Sequence, residues 1–401
     1  MHRIYTNSVK SISKAPLIVI FIAEEQSGWC EQLTEEGYDV FQIIYPYTNL
    51  APVGESIIAA GIHIRGRDGS WALVTYGLLR DDVLSVARLV KDADVPTPKA
   101  CVHYAPLLED STSLLSRDGT GRYTSTMVHL SSAQEQLHAS LELLTTSDSL
   151  GYSLSSAEYP PISVFAYPKV PSTPPFPYKS QAPATVRAGQ APVPIDPYIR
   201  SATSLAYSRT LDLLRRQLGP RFDLEKLWER HTYYEFVERD APKTMSTMVN
   251  VPYVNHVATL TGGMGYDDLA RFYKYHFTKV SPPDTELITI SRTVGADRII
   301  DEMIFKATHT TEIEYFLPGV RPTGKPLEIA MVGVVAFRGD KLTFEHLYWD
   351  QASTLVQLGL LDRTSLPIAG VEVAQKVMNP FGVPSNTLLT RWKESEGLSI
   401  D

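Results

Sequence analysis

Two hydrophobic rhythms divide the chain. In the first half the apolar residues come in short continuous runs. The longest, APLIVIFIA at 15–23, has the pattern of a strand covered on both faces of a parallel sheet. A polar stretch with helical spacing follows over 27–36 and stops at Gly37. Then come YDVFQIIYPY from residue 38, WALVTYG at 71–77, a helical DDVLSVARLVKD at 81–92, KACVHYA at 99–105, TSTMVHL at 124–130 and ISVFAYP at 162–168. Strands alternating with helical stretches predict an α/β domain with a mostly parallel sheet.

A Pro-, Ser- and Ala-rich segment, 156–197, interrupts this rhythm with pairs such as Pro160-Pro161 and Pro174-Pro175. Proline blocks helix interiors and removes backbone donors, so the segment reads as a surface loop or strap. Helical spacing returns at 198–219, with Leu205, Leu211, Leu213, Leu214 and Leu218 as its predicted buried stripe. Asp223 reads as the N-cap of a helix over 224–238, and a second helix begins near Tyr266. PYVNHVATLTGG (252–263) reads as a loop, either covering a pocket or held as a turn by its own side chains. Four long strand-like runs follow, TELITISRTVG, DRIIDEMIFKATHT, PLEIAMVGVVAFRG and KLTFEHLYWDQA, with GDK at 339–341 as a hairpin turn. Helices followed by an antiparallel meander predict an α+β cone, a curved sheet round a helix with an apolar bottom and a mouth.

The stretch TFEHLYWDQASTLVQLGLL, 343–361, concentrates the candidate chemistry. Alternation sets Phe344, His346, Tyr348 and Asp350 on one strand face and Thr343, Glu345, Leu347 and Trp349 on the other. A His, a Tyr and an Asp on one face can transfer protons if that face lines a cavity; otherwise they are polar residues of a solvated sheet. His346 and Asp350 are four strand residues, roughly 13 Å, apart and are not direct partners. Tyr253, Tyr315 and Tyr348 are candidate phenol donors to a substrate oxygen, and His256 lies in the covering loop. Asp301 and Glu302 face opposite ways at the start of a strand. One can enter the cavity, with Glu302 the better match for Arg292 or Arg298. His231 and Glu235 share a helix face at i, i+4 spacing, but a metal needs a third ligand, so no metal site is expected from that spacing. The glycines of TGGMG, 261–265, follow no clear strand and lack a Lys-Ser/Thr ending, which excludes a phosphate loop.

Length and charge narrow the classes. A chain of 401 residues is long for one core and predicts two domains. A formal net charge of −8 argues against nucleic acid or an anionic membrane as the main partner. The two cysteines, Cys30 and Cys101, make no disulfide framework and fit a reducing compartment. The first residues, MHRIYTNSVKSISK, lack the apolar core of a signal peptide, and the 15–23 run is too short to span a bilayer. A soluble, cytoplasmic protein is expected.

With these pieces in order, the first half resembles a dienelactone hydrolase of the α/β-hydrolase fold over about residues 15–215. The pieces are PLIVIFIAEEQSGW, EEGYDVFQIIYP and the late YP before an aromatic and Pro-rich segment. That fold carries its nucleophile on a G-x-Ser/Cys-x-G turn. Here the turn is Val74-Thr75-Tyr76-Gly77-Leu78, with a phenol at the nucleophile position. Ser131 to Gln134 stand where the acid belongs, and no histidine occurs between His138 and His231. The expectation is a hydrolase-like domain without the triad; the competing reading is an unusual nucleophile, Cys30 or Cys101.

The second half resembles the SnoaL-like polyketide cyclases of the nuclear transport factor 2 fold over about residues 222–378. The pieces are ATHTTEIEYFLPGVRPTGKPLEI, FRGDKLTFEH and WDQASTLVQLGLL. Ala307 stands where that family has glycine, and Trp349 directly precedes Asp350 instead of sitting earlier in the strand. The resemblance implies Asp350 as general base and His309 as donor to an enolate oxygen. It further implies a cofactor-independent cyclase, isomerase or lyase acting on a polyketide-like or other small hydrophobic carbonyl substrate, and a homodimer through the exposed sheet face. The expected organisation is residues 1–219, 220–380 and a tail, 381–401. The rival reading is a binding or scaffold protein, which a wholly apolar cone with Asp350 salt-bridged outside it would favour.

Overall fold

The run Leu17–Ile22 has no polar position because it is buried on both faces: every residue of this strand, β2, is inaccessible to solvent. In the computed structural model, which describes residues 1–45, 53–67, 69–91, 94–108, 114–117, 121–146, 160–171, 176–190 and 193–400, the chain forms two compact units, Met1–Phe222 and Asp223–Asp401.

The first unit is built on a seven-stranded sheet. Its strands are β1 (His2–Tyr5), β2, β3 (Asp39–Ile44), β4 (Trp71–Tyr76), β5 (Ala100–Tyr104), β6 (Ser125–Ser131) and β7 (Ile162–Tyr167), in the order β1-β3-β2-β4-β5-β6-β7. All neighbours are parallel except β1, which runs antiparallel along β3 at the edge. Helices α1 (Gly28–Glu35), α2 (Gly54–Arg65), α3 (Arg80–Lys91), α4 (Glu135–Thr146) and α5 (Pro197–Gln217) complete it. The hydrophobic rhythm predicts β2 to β7, α1, α3 and α5. It misses β1, a short polar edge strand, and α2 and α4, whose polar and apolar positions are not cleanly segregated. The last two residues of the predicted YDVFQIIYPY strand, and the pair Pro174-Pro175, lie outside the described residues.

Helix α5 corrects the leucine-stripe expectation. Leu211, Leu213 and Leu214 are buried, but Leu205 is 46 % exposed, and the stripe is continued by Ala202, Ala206 and Thr210. Small residues at i, i+4 spacing let the helix approach the sheet closely. The described part of the Pro-rich strap is tied to α1: the Trp29 indole donates to the Ser180 carbonyl at 2.7 Å, and the Ala184 amide donates to Gln32 Oε1 at 2.8 Å.

The second unit holds a six-stranded sheet ordered β10-β11-β12-β13-β8-β9. In chain order its elements are α6 (Leu224–Thr232), α7 (Ala241–Ser246), β8 (Met248–His256), β9 (Thr261–Met264), α8 (Tyr266–Phe272), β10 (Glu286–Val294), β11 (Arg298–Thr308), β12 (Pro326–Arg338), β13 (Lys341–Trp349), α9 (Gln351–Leu358) and α10 (Glu372–Met378). The antiparallel meander β10 to β13 follows the four runs read from the sequence, with its last turn at Gly339-Asp340.

The segment read as a loop is two strands. Residues of β8 pair in parallel with β13, Phe344 opposite Tyr253 and His346 opposite Asn255, and β9 folds back on β8. Its polar residues hid the strand, because Val254 and His256 point inward while Tyr253 and Asn255 do not. The glycines of TGGMG serve this turn: a Cβ on Gly262 would lie 2.0 Å from the Val254 carbonyl oxygen, and its φ of +134° favours glycine. No described helix is long and apolar enough to cross a membrane.

One buried ion pair fastens the first unit. Arg215 Nη2 lies 2.5 Å from Glu36 Oε2, and its Nη1 donates to the Pro220 carbonyl at 2.9 Å. Arg215→Met removes the cation facing a carboxylate that is 1 % exposed and should cost about 3–5 kcal/mol. Denaturant titration measures this, and Glu36→Gln in the same chain should recover much of the loss.

Candidate functional site

A buried polar cluster of the second unit is assembled from three elements. Helix α6, capped by the Asp223 carboxylate on the Lys226 amide, ends in a π-helical turn, Tyr233–Val237. His231 and Glu235, one turn apart, point inward from this segment. Glu345 comes from β13. Tyr273 opens a second π-helical turn, Tyr273–Phe277, behind α8. Such turns widen a helix locally and recur at functional sites.

The geometry is tight. His231 Nε2 lies 3.0 Å from Glu345 Oε1 and 3.2 Å from Glu235 Oε1. The Tyr273 hydroxyl is 3.3 Å from the same Nε2 and donates to Glu345 Oε1 at 3.4 Å. His231 is 0 % exposed, and the two glutamates 3 % each. The other ring nitrogen fixes the tautomer. Thr247 Oγ1 donates its one proton to the Thr244 carbonyl at 2.7 Å, so it accepts from His231 Nδ1 at 2.6 Å. Nδ1 therefore carries a hydrogen, and Nε2 faces both carboxylates. The ring also stacks on Trp228 at 5.6 Å.

Burial alone would pull the His231 imidazole down, but the Glu235 and Glu345 carboxylates outweigh it and hold it up at about 10. The Glu235 carboxyl is raised, first by burial and then by the charge of Glu345, against the opposing pull of His231. Burial, with the two carboxylates behind it, lifts the Tyr273 phenol well above its usual range and keeps it a proton donor.

A cavity of about 30 Å³, room for one or two waters, meets this cluster. Glu235, Glu345, Tyr273, His256, Thr232 and Tyr315 are its polar lining. Trp228, Phe236, Phe277, Phe316, Met303 and Met331 are among its apolar walls. The cone is thus neither wholly apolar nor open.

The residues singled out from the sequence scatter. His256 and Tyr315 line the cavity. His256 is neutral, pushed down to about 4 by burial; it faces the Thr261 carbonyl at 3.3 Å through Nδ1. The Tyr315 hydroxyl meets Ser281 Oγ at 2.8 Å. Asp301 is buried outside the lining: Arg292 holds it in a bidentate pair at 2.7 and 2.8 Å, and the Trp228 indole donates to it at 2.9 Å. This corrects the pairing expected for Arg292, since Glu302 instead accepts from Ser291, and Arg298 pairs with Asp297. Tyr253 and His346 bond to each other at 2.9 Å on the sheet's other face, and Tyr348 is 43 % exposed.

Asp350 and His309 are not brought together at the cavity. Asp350 caps α9, accepting from the Ala352 amide at 3.0 Å, and is exposed. His309 is buried just past β11, where its Nδ1 lies 3.1 Å from Thr323 Oγ1 and its backbone amide donates to the Lys325 carbonyl. Neither lines the cavity. Alternation along β13 sorts residues 344–349 into the two faces as read, but the interior face is the other one. Leu342, Glu345 and Leu347 are buried, whereas Phe344, His346 and Tyr348 are not. Thr343 sits in a bulge between the pairs Leu342–Phe337 and Phe344–Ala336, which shifts the phase of the strand. Glu345 was missed because its neighbours Phe344 and Tyr348 made the outer face look like the inner one. The i, i+4 pair His231 and Glu235 was visible, and Glu345 is the third group it lacked.

In the first unit Tyr76, at the end of β4, packs edge-on against Tyr104 and Tyr178 in the buried core. Gln134, at the acid position, donates to the Pro106 carbonyl. Cys30 and Cys101 are buried; burial pushes the Cys101 thiol up to about 12 and raises the Cys30 thiol further, which suppresses the nucleophilic thiolate.

No protein-family profile matches this chain, and no curated protein matches it. Solved structures of SnoaL-like and NTF2-like fold resemble part of it. A hypothetical protein with a ketosteroid isomerase-like fold from Catenulispora acidiphila DSM 44928 is 13 % identical, with 35 % of this chain and 96 % of that chain covered, at a TM-score of 0.27. A Jannaschia sp. CCS1 protein named as a SnoaL-like polyketide cyclase is 14 % identical, with 36 % and 99 % covered, at 0.29. An NTF2-like protein of unknown function from Cytophaga hutchinsonii ATCC 33406 is 8 % identical, with 33 % and 95 % covered, at 0.23. These likenesses concern about a third of the chain and assign no activity.

Asp350→Ala removes an N-cap and should lower stability by about 1 kcal/mol, whereas Asp350→Asn, an equally good cap, should leave it within about 0.5 kcal/mol. Thermal unfolding of the two variants checks this.

Proposed function

We propose that the second unit is an acid/base enzyme that removes a proton next to a carbonyl, the step shared by cyclisation, isomerisation and dehydration through an enolate. The observation that carries this reading is the polar cluster itself: two buried carboxylates, an imidazole and a phenol at the edge of an otherwise apolar cavity. The Glu345 carboxylate takes the proton. Tyr273, held as a neutral phenol, donates to the developing oxygen anion. His231 stays behind them, outside the lining, and its positive charge keeps carboxylates in an apolar place. His256, neutral, is a polar contact for substrate rather than a base.

The apolar walls favour a small hydrophobic carbonyl compound, or the reacting end of a larger polyketide-like one; a cavity of about 30 Å³ admits it only if the walls give way, Met303 and Met331 most readily. The binding-protein reading would be favoured by a wholly apolar cone, and the polar lining lacks that feature.

Proton exchange into deuterated solvent at the α-carbon of small aromatic ketones and β-dicarbonyls, followed by NMR, tests the proposal. The wild-type chain should accelerate exchange of at least one member of the panel. Glu345→Gln and Tyr273→Phe should each slow it at least about 100-fold, while Asp350→Asn should not. No acceleration across the panel, or full activity of Glu345→Gln, would sink the reading.

A further inference from the structure

We propose that His231, Glu235 and Glu345 form a binding site for a single first-row divalent cation. This goes beyond the acid/base reading and can fail separately from it.

Four observations converge. The donor atoms are one imidazole nitrogen and two carboxylate oxygens, all within 4.8 Å of one another and all buried. The nitrogen-to-oxygen separations of 3.0 and 3.2 Å fit the ligand-to-ligand edges of about 3.0–3.4 Å that bonds of about 2.1 Å give in octahedral or tetrahedral sites. The outer support of a metal histidine is in place: the Nδ1 hydrogen is held by Thr247, itself held by the Thr244 carbonyl, so Nε2 is aimed at the carboxylates. Both glutamates border the cavity, which leaves room for a water or a substrate oxygen beside a bound cation.

The donor set also suits a cation: two carboxylates and one imidazole meet in an otherwise apolar place, where carboxylates need a positive partner. An imidazole ligand and only three protein groups favour Mn²⁺, Fe²⁺ or Zn²⁺ over Ca²⁺, which takes six to eight oxygens.

The test uses the full chain stripped with chelator and titrated with Mn²⁺ and with Zn²⁺, by calorimetry and thermal unfolding, with Ca²⁺ as control. One equivalent of Mn²⁺ or Zn²⁺ should bind and raise the unfolding temperature. Thr247→Val should weaken binding about tenfold and Glu345→Gln at least that much, with Ca²⁺ binding no better than to Glu345→Gln. The pulsed electron paramagnetic resonance spectrum of bound Mn²⁺ should show coupling to one imidazole nitrogen, a readout that does not depend on whether His231→Ala folds. Absence of binding to the wild-type chain, or bound Mn²⁺ without nitrogen coupling, overturns the site. If carbonyl α-exchange persists in the stripped chain without metal uptake, the acid/base reading stands and the cation falls. Metal uptake with no exchange activity in the loaded chain leaves the converse.

Discussion

Two carboxylates inside an apolar cone can persist only beside positive charge, and the second unit is arranged round that requirement. Glu235 and Glu345 come from a helix end and a strand more than a hundred residues apart, and both converge on one face of His231. An unpaired carboxylate in such a place would be neutralised or would unfold its surroundings. The threonines behind the ring, the indole beside it and the phenol below all keep the imidazole in that one position.

The first unit shows the opposite solution. Its core is filled with aromatic packing. Tyr76, Tyr104 and Tyr178 meet edge to face, and His129 stacks on Tyr104 at 4.6 Å. Its cysteines are buried in the same way.

Much of the fold was legible because burial writes periodicity. The all-buried strand β2 reads as an unbroken apolar run, β4 and β5 as mainly apolar ones, and the β10–β13 meander as long alternating ones. The site was less legible because two constraints outweighed local pattern. A bulge takes Thr343 out of the alternation, and the packing of α6 on β13, not the strand's own sequence, sets which face looks inward. Neither leaves a sharp local mark. Asp350 looked catalytic for the reason that makes it a good cap: a short carboxylate at the end of a strand, just before a helix. His231 and Glu235 were visible as a pair, but their partner lies 110 residues downstream of Glu235, where only the folded sheet brings it near.

The parallel seam between β8 and β13 joins segments separated by about ninety residues of chain, and it closes the sheet that carries Glu345. Closing so long a loop costs entropy before any contact rewards it, so this seam belongs among the later events of folding. The strands β10 to β13 can find one another as successive hairpins, yet the wall carrying Val254 and His256 is absent until β8 docks. The chamber therefore exists only in the finished unit. A partly folded chain carries every residue of the site, but its chamber lacks a wall until that seam forms.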